Sequence, residues 1–248
     1  MEKIVIVGAT SAIAEHCARL WAGAGPVDLT LVGRDAGKLE RVAADLRVRG
    51  GPSSQIRTAV ADLSSTAAIE AMVADAVRAG PVDTVLIAQG SLPDQAHCQD
   101  DLQACRQALE VNAVSPALCA EGFARHMAAA GRGTLALIGS VAGDRGRKSN
   151  YVYGSAKGLL AGYAQGLQHR FAGKGVKVVL IKPGPTDTPM TAALKSEGAR
   201  LAPVEEVAAR IVKAIARGQA VVYAPGKWWL IMMIIRHLPA VVFNRLDI

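Results

Sequence analysis

Short apolar segments rich in β-branched residues recur along the chain and alternate with stretches of helical pattern. The seven strand-like segments are residues 3–7, 28–32, 56–61, 82–88, 135–138, 176–181 and 220–224. Such continuous apolar runs are typical of parallel strands that are covered on both faces. The alternation, without repeats or a Ser/Pro-rich linker, predicts a single doubly wound α/β domain at residues 1–226 with a seven-stranded, mostly parallel sheet and helices on both faces. Residues 227–248 form a separate apolar C-terminal segment.

Composition narrows the possible classes of function. The chain has 248 residues, of which 51% are hydrophobic and 20% charged, as expected of a globular protein with a substantial core. Its net charge of +7 could suit an anionic ligand, a nucleic acid or an acidic membrane surface. No Lys/Arg block with interleaved aromatic residues is present, so we do not expect nucleic-acid binding. The four cysteines lack the spacing of a metal site, and the N-terminus lacks a signal peptide, so we expect a cytoplasmic protein with reduced thiols and no metal.

The first strand leads into a turn of small residues and then a helix. Five residues of this turn can offer backbone N–H groups to a pyrophosphate: Gly8, Thr10, Ser11, Ala12 and Ile13. A helix N-terminus at the carboxyl end of a strand is a ready anion site. The turn therefore predicts a phosphate cradle, although strand–Gly–helix turns are common in α/β proteins.

The ends of the second, third and fourth strands suggest the rest of a dinucleotide site. Gly33 and Arg34 follow the second strand, where an acidic residue would favour NAD, and an arginine there can bind the 2′-phosphate of NADP. Asp62 and Leu63 follow the third strand and are placed to contact adenine. After the fourth strand, Ala88 and Gly90 allow a close approach of the backbone to the ligand. The cofactor predicted from these residues is NADP.

A phenol and an ammonium lie four residues apart at Tyr153 and Lys157. On a helix they would share a face, and a nearby cation favours the phenolate, so Tyr153 could act as an acid or base near neutral pH. Ser140 ends the preceding strand and could bind the same substrate oxygen. Asn112 lies inside a predicted long helix at residues 101–130, where asparagine is unfavourable and needs a reason. The alternative for Tyr153 and Lys157 is an ordinary exposed helical pair.

The segment after the sixth strand is rich in helix-breaking residues and could frame a ligand before a mobile loop at 191–201. Its candidate residues are Pro183, Gly184, Thr186 and Thr188.

With these residues in place, the chain resembles the short-chain dehydrogenase/reductase family over residues 1 to about 225. The match in identity, order and spacing comprises Asn112, Ser140, Tyr153 and Lys157, supported by Asp62 and by the segment from Pro183 to Thr188. The resemblance implies a Rossmann-type domain, an NADP-dependent oxidoreductase acting on a ketone or secondary alcohol, and a homodimer or homotetramer.

The resemblance also implies roles for the matched residues. Tyr153 would donate its proton to the substrate carbonyl, and Ser140 would polarise that carbonyl. Lys157 would lower the pKa of Tyr153 and hold the nicotinamide ribose, while Asn112 would hold a water in a relay to Lys157. The residues from Pro183 to Thr188 would position the nicotinamide carboxamide.

Two departures from the family pattern affect the cofactor side. Alanines at Ala12 and Ala14 replace the second and third glycines of the turn. Alanine keeps its N–H and tolerates helical angles, so we expect a tighter but intact cradle. Gln89 stands where the family has an asparagine that braces the sheet, and we expect it to take over part of that bracing.

The apolar segment at residues 227–243 is the least family-like part of the chain. Its uninterrupted apolar run is eight residues long, too short to span a bilayer, which needs about 20. It could pack on the core or on a second subunit. Alternatively, because its apolar residues cover every side of a helix, it could lie on a membrane or cap a lipophilic substrate.

This segment, the turn at residues 8–14 and the run at 90–95 together resemble reductases of polyprenyl-phosphate-linked 2-keto pentoses in actinobacterial cell-wall synthesis. That resemblance implies a lipid-linked ketone and a location at the inner face of the cell membrane. The alternatives are a reductase of 3-oxoacyl thioesters or other lipophilic ketones and, more remotely, a non-catalytic NADP-binding sensor or scaffold.

Overall fold

Seven strands pair side by side in one sheet, in the order β3-β2-β1-β4-β5-β6-β7, and every pairing is parallel. This computed structural model describes residues 1–246, so the last two residues of the predicted segment 227–248 lie outside the described residues. The strands are β1 Glu2–Val7, β2 Val27–Gly33, β3 Gln55–Val60, β4 Thr84–Ile87, β5 Gly133–Ile138, β6 Val176–Pro183 and β7 Val221–Ala224. The predicted doubly wound sheet of seven strands is confirmed.

Helices cover both faces of this sheet. They are α1 Ala12–Ala24, α2 Ala36–Gly50, α3 Thr66–Val77, α4 Gln95–Asp100, α5 Leu102–Leu109, α6 Ser115–Ala130, α7 Tyr151–Arg170, α8 Ala192–Ser196, α9 Val204–Arg217, α10 Lys227–His237 and α11 Ala240–Phe243. Alternate residues of β1 point to opposite faces. Ile4 and Ile6 pack with α1, α2 and α9, whereas Val5 and Val7 pack with α3, α6 and α7.

The helix predicted at residues 101–130 is interrupted. A π-helical turn, Glu110–Val114, joins α5 to α6 and carries the buried Asn112. The Asn112 amide nitrogen donates to the Ala108 carbonyl at 2.9 Å, and its oxygen accepts the Ser91 N–H at 3.0 Å. The side chain of Asn112 therefore satisfies backbone groups at the place where the regular helix opens.

Two short helices are not predicted by the sequence pattern. The loop predicted at 191–201 contains α8, and α4 precedes α5 with Cys98 as its one buried residue. Six residues or fewer carry too little hydrophobic periodicity to distinguish a helix from a turn.

The C-terminal segment packs on the domain with one side only. Trp228, Met232 and Ile235 cluster with Val141 and Tyr223 beside β7. The other side of α10 stays exposed. Within residues 1–246, no helix is both long and apolar enough to cross a membrane.

Candidate active site

A cavity of about 930 Å³ lies at the carboxyl ends of the strands, near the upper limit for small-molecule sites. Eleven predicted cofactor-binding residues line it: Gly8, Thr10, Ser11, Ala12, Ile13, Arg34, Asp62, Leu63, Ala88, Gly90 and Thr188. The structure thus brings together side chains and backbone from the ends of four strands and from the segment after β6.

The turn between β1 and α1 retains the shape of a phosphate cradle. Gly8 has a φ of 82°, and a Cβ added there would lie 2.7 Å from the Gln89 Cα. Ala12 begins α1, and no non-glycine residue in the described chain has a positive φ. The Ser11 side chain makes no capping hydrogen bond, so its hydroxyl and the first N–H groups of α1 remain able to bind an anion. These residues fit the pyrophosphate of a dinucleotide.

The end of β2 presents a cation to the cavity. Asp35 is occupied as the N-cap of α2, where its carboxylate accepts the Lys38 N–H at 2.9 Å. Arg34 is exposed, and its charge contributes to lowering the pKa of Asp62. The larger causes of that lowered pKa are hydrogen bonds from the Ser64 hydroxyl and N–H. Arg34 is therefore the charged group available to a ribose or its 2′-phosphate.

The four predicted catalytic residues converge beside Gly90. Ser140 follows β5, and its hydroxyl accepts the Ala142 N–H at 3.1 Å. It is close enough to the Tyr153 hydroxyl, in the first turn of α7, to influence the pKa of that tyrosine. The Lys157 ammonium donates to the Ile138 carbonyl at 3.0 Å. A Cβ added to Gly90 would lie 2.9 Å from the Asn112 Oδ1 and 3.4 Å from the Lys157 Nζ. Gly90 therefore lets the backbone pass between these two polar groups.

Burial controls the pKa values in this cluster. Burial raises the pKa of Tyr153, and the nearby Ser140 hydroxyl opposes that shift without reversing it. Burial also lowers the pKa of Lys157 to about 8. The Lys157 Nζ lies 5.8 Å from the centre of the Tyr153 ring and donates to a backbone carbonyl. The direction of the pKa shift of Tyr153 is opposite to the one expected from the sequence, because burial disfavours the phenolate more than Ser140 favours it.

The segment predicted to hold the nicotinamide reaches the cavity at Thr188 alone. The buried Thr186 hydroxyl donates to the Gly184 carbonyl at 2.9 Å. A Cβ added to Gly184 would overlap the Trp228 indole. Within this segment, the roles of Pro183, Gly184 and Thr186 toward a cofactor stay predictions.

Gln89 braces a helix instead of the sheet. Its amide nitrogen approaches the Ser115 hydroxyl at 3.4 Å and the Cys119 sulfur at 3.5 Å, both on α6. Its Oε1 is buried and finds no hydrogen-bond partner among residues 1–246. Because Gln89 lines the cavity, this oxygen is a further candidate acceptor for a bound ligand.

Arg106 on α5 also lines the cavity, and sequence analysis gave no signal for it. It adds a second guanidinium to the lining that contains Arg34. Its position depends on the packing of α5 against α4 and α7, which no local pattern predicts.

Comparison with known proteins identifies the family. The profile of the family described as short chain dehydrogenase matches residues 2–199. An uncharacterized oxidoreductase of Mycobacterium tuberculosis is 35% identical over 245 residues, covering 98% of this chain and 96% of the relative. The cis-4-hydroxycyclohexanecarboxylate dehydrogenase of Sinomonas cyclohexanicum is 32% identical over 194 residues, covering 78% and 76%.

Solved structures share the fold. A short-chain dehydrogenase/reductase from Mycobacterium ulcerans has a TM-score of 0.83 at 21% identity, covering 99% of this chain and 98% of that one. A short-chain dehydrogenase from Sphingobium yanoikuyae, solved with NADPH, has a TM-score of 0.82 at 22% identity, covering 97% of both chains.

The chain belongs to the short-chain dehydrogenase/reductase family. It is an oxidoreductase that acts on CH–OH donors or the corresponding carbonyl compounds, with a small-molecule substrate and a nicotinamide cofactor.

Proposed function

We propose that this enzyme reduces a ketone, or oxidises the corresponding secondary alcohol, with NADP as cofactor and Tyr153 as the acid or base. Its substrate is lipophilic, and polyprenyl-phosphate-linked keto sugars are the class that we favour. The observation that carries the proposal is the cluster of Ser140, Tyr153 and Lys157. Lys157 follows Tyr153 by one turn of α7 and lies beside Gly90, which lines a dinucleotide-sized cavity.

Each residue of the site has a separate role in the proposed reaction. The cofactor, when bound, supplies or accepts the hydride. The Tyr153 hydroxyl gives its proton to the substrate oxygen, and its raised pKa keeps it protonated and ready as an acid. Ser140 donates a hydrogen bond to the same oxygen and so orients the carbonyl. Lys157, with a pKa of about 8, can exchange a proton near neutral pH and return it toward Tyr153. Asn112 holds the backbone around this relay.

A tyrosine variant tests whether the protein is an enzyme or a non-catalytic NADP-binding scaffold. Tyr153→Phe removes the proton and keeps the ring, so we expect ketone reduction to fall about 10²–10⁴-fold. NADPH affinity should stay within a few fold. Steady-state rates and a fluorescence titration measure the two effects.

Tyr163→Phe is the matched control on the same helix, because the Tyr163 hydroxyl, ten residues after Tyr153, donates to Glu121 on α6. That variant should leave the rate unchanged. Equal rates for the two variants would remove Tyr153 from the mechanism and favour a scaffold.

The preference for NADP rests on Arg34. An exposed guanidinium beside the cavity can bind a 2′-phosphate with two parallel hydrogen bonds. Calorimetric titration should give tighter binding of NADPH than of NADH, and Arg34→Asp should abolish that preference. Arg41→Asp on the exposed side of α2 is the control for a general loss of positive charge. Tighter binding of NADH by the unaltered protein would contradict the proposal.

An unpaired cation after β5 supports an anionic substrate group. The Nε of Arg147 is buried and has no hydrogen-bond partner within residues 1–246, and burial lowers its pKa. Gln95 Nε2 and Asn150 Oδ1 are likewise unsatisfied. Gln95 also accepts the Val152 N–H at 3.0 Å, next to Tyr153. This donor, acceptor and guanidinium lie in or beside the loop between Ser140 and Tyr153. They suit a phosphorylated, hydroxyl-rich ketone. A 3-oxoacyl thioester is the alternative to compare with it in a substrate screen.

We also propose a homodimer or homotetramer that works in the cytoplasm at the inner face of the cell membrane. Exposed apolar side chains on two helices that contact each other support self-association: Leu102 on α5 and Leu159 on α7. Membrane contact through residues 227–243 is supported by the outward side of α10 and is developed next.

A further inference from the structure

The C-terminal helices α10 and α11 expose several large apolar side chains. The outer tail face consists of Trp229, Leu230, Met233, Ile234, Val241 and Val242. The four α10 residues recur at the spacing i, i+1, i+4 and i+5, which places them on one side of the helix. Trp229 is 56% exposed, Leu230 60% and Val241 68%. The opposite side of α10 already packs on Val141 and Tyr223, so the outer tail face contributes nothing to the core.

The tail itself is basic. Residues 227–246 contain three cations, Lys227, Arg236 and Arg245, and no aspartate or glutamate, and the next acidic residue in the sequence is Asp247. Lys227 and Arg245 are exposed at the two ends of the outer tail face. A second copy of this surface would set cations against cations in a symmetric contact. An anionic bilayer offers hydrocarbon to the apolar side chains and negative headgroups to the cations.

We infer that the outer tail face docks on an anionic lipid bilayer, with α10 lying in the plane of the interface. The 11 residues of α10 span about 16 Å, roughly half the hydrocarbon thickness, so the helix lies on the bilayer without crossing it. This inference goes beyond the proposed reaction, because docking depends on neither the cofactor nor the substrate.

The inner side of the tail contacts two segments that adjoin the active site. Trp228 packs on Gly184 in the segment that follows β6. Arg145, five residues after Ser140, donates to the carbonyls of Ile235 at 2.9 Å and Leu238 at 2.6 Å. The Arg145 guanidinium also lies 3.9 Å from the centre of the Phe243 ring. Docking therefore places the catalytic loop, residues 141–148 directly after Ser140, next to the bilayer. The carbonyl of a lipid-linked substrate would be found there.

A flotation assay on the full chain tests the docking. Vesicles of phosphatidylcholine with phosphatidylglycerol should carry the protein upward, whereas vesicles of phosphatidylcholine alone should carry much less. High salt should weaken the binding, because salt screens the cations. The double variant Trp229→Ser/Ile234→Ser should bind the anionic vesicles at least tenfold more weakly. Its thermal unfolding should stay close to that of the unaltered protein.

Val48→Ser is the matched control, because Val48 on α2 is an exposed apolar residue at 85% exposure outside the tail. It should bind vesicles like the unaltered protein. Equal binding by Val48→Ser and the double variant would overturn the inference, and so would absence of binding to anionic vesicles. A double variant that changes the oligomeric state by sedimentation would assign the face to a second copy instead. Flotation needs no substrate, so its failure leaves the proposed reaction to be judged by Tyr153→Phe.

Hydrogen exchange tests the connection to the catalytic loop. Anionic vesicles should slow amide exchange in residues 227–243 and also in residues 141–148. In Arg145→Ala, the protection should persist in the tail and disappear from the loop. Protection confined to the tail in both proteins would show that docking does not reach the loop.

Discussion

Two glycines that follow strands of the sheet, Gly8 after β1 and Gly184 after β6, are required by different constraints. Gly8 has a positive φ, and an added Cβ would overlap backbone atoms of residues 88 and 89. Gly184 has no such φ, and its added Cβ would overlap a side chain, the Trp228 indole. The cofactor side of the site is therefore built from backbone and belongs to the common fold. The segment after β6 is held instead by a side chain of the C-terminal tail, the Trp228 indole.

The largest effect should come from Gly8→Ala. A non-glycine residue at positive φ costs about 1–3 kcal/mol, and overlap with fixed backbone adds about 1–3 kcal/mol. We expect the free energy of unfolding to fall by about 4 kcal/mol and NADPH binding to be lost. Denaturant unfolding and titration measure both. If the free energy of unfolding fell by less than about 1 kcal/mol, the turn after β1 would be able to move, and the backbone would not fix the cofactor side of the site.

Gly184→Ala sharpens the comparison because its cost should depend on one side chain. We expect a loss of about 3 kcal/mol, since the indole is wedged against β7 and cannot easily shift. In a Trp228→Ala background the same substitution should cost almost nothing. Gly8→Ala should cost the same in both backgrounds and so serves as the control for the double-mutant cycle. An equal cost of Gly184→Ala in the two backgrounds would assign the constraint to the backbone.

Lys157, beside Gly90, is constrained in a different way, because its charged form is disfavoured by burial. Its pKa in the folded protein, about 8, is below its ordinary value of 10.5 because of burial. The folded state thus binds fewer protons than the unfolded chain between pH 8 and 10.5, and stability rises with pH in that window. Relative to Lys157→Met, the unaltered protein should gain on the order of 2 kcal/mol from pH 8 to pH 10.

Urea unfolding at the two pH values measures this gain. Taking the difference between the two proteins removes the contributions of the tyrosines and cysteines that titrate nearby. A constant difference would mean that Lys157 stays solvated in the folded protein.

Local patterns are sufficient to predict the sheet and the proximity of the predicted catalytic residues. The apolar runs predict the seven strands, and residues at the carboxyl ends of parallel strands share one edge of a sheet. The positions of Ser140, Tyr153 and Lys157 follow from the end of one strand and one helical turn. Gly8 is predicted as part of the phosphate cradle from the pattern of strand, turn and helix.

Contacts between segments that are distant in the chain cannot be predicted from local sequence patterns. Arg145 meets Ile235 across 90 residues, and no local pattern pairs them. Gln89 turned to α6 because Ser115 and Cys119 offered acceptors there. The direction of the pKa shift of Tyr153 also depended on burial, which is a property of the whole packed domain.

The π-helical turn at Glu110–Val114 sets the phase of the helix that follows it. Each residue advances an α-helix by about 100°, and a π-helical turn advances less per residue because its hydrogen bonds run from residue i to i+5. The wider turn therefore takes up one residue more than an α-helical turn without rotating α6 relative to α5. If the same number of residues formed a regular α-helix, α6 would rotate by about 100° and Phe123, now 1% exposed, would leave the core. A change that abolishes the π-helical turn without removing a residue should therefore be far more damaging than a substitution on the exposed side of either helix.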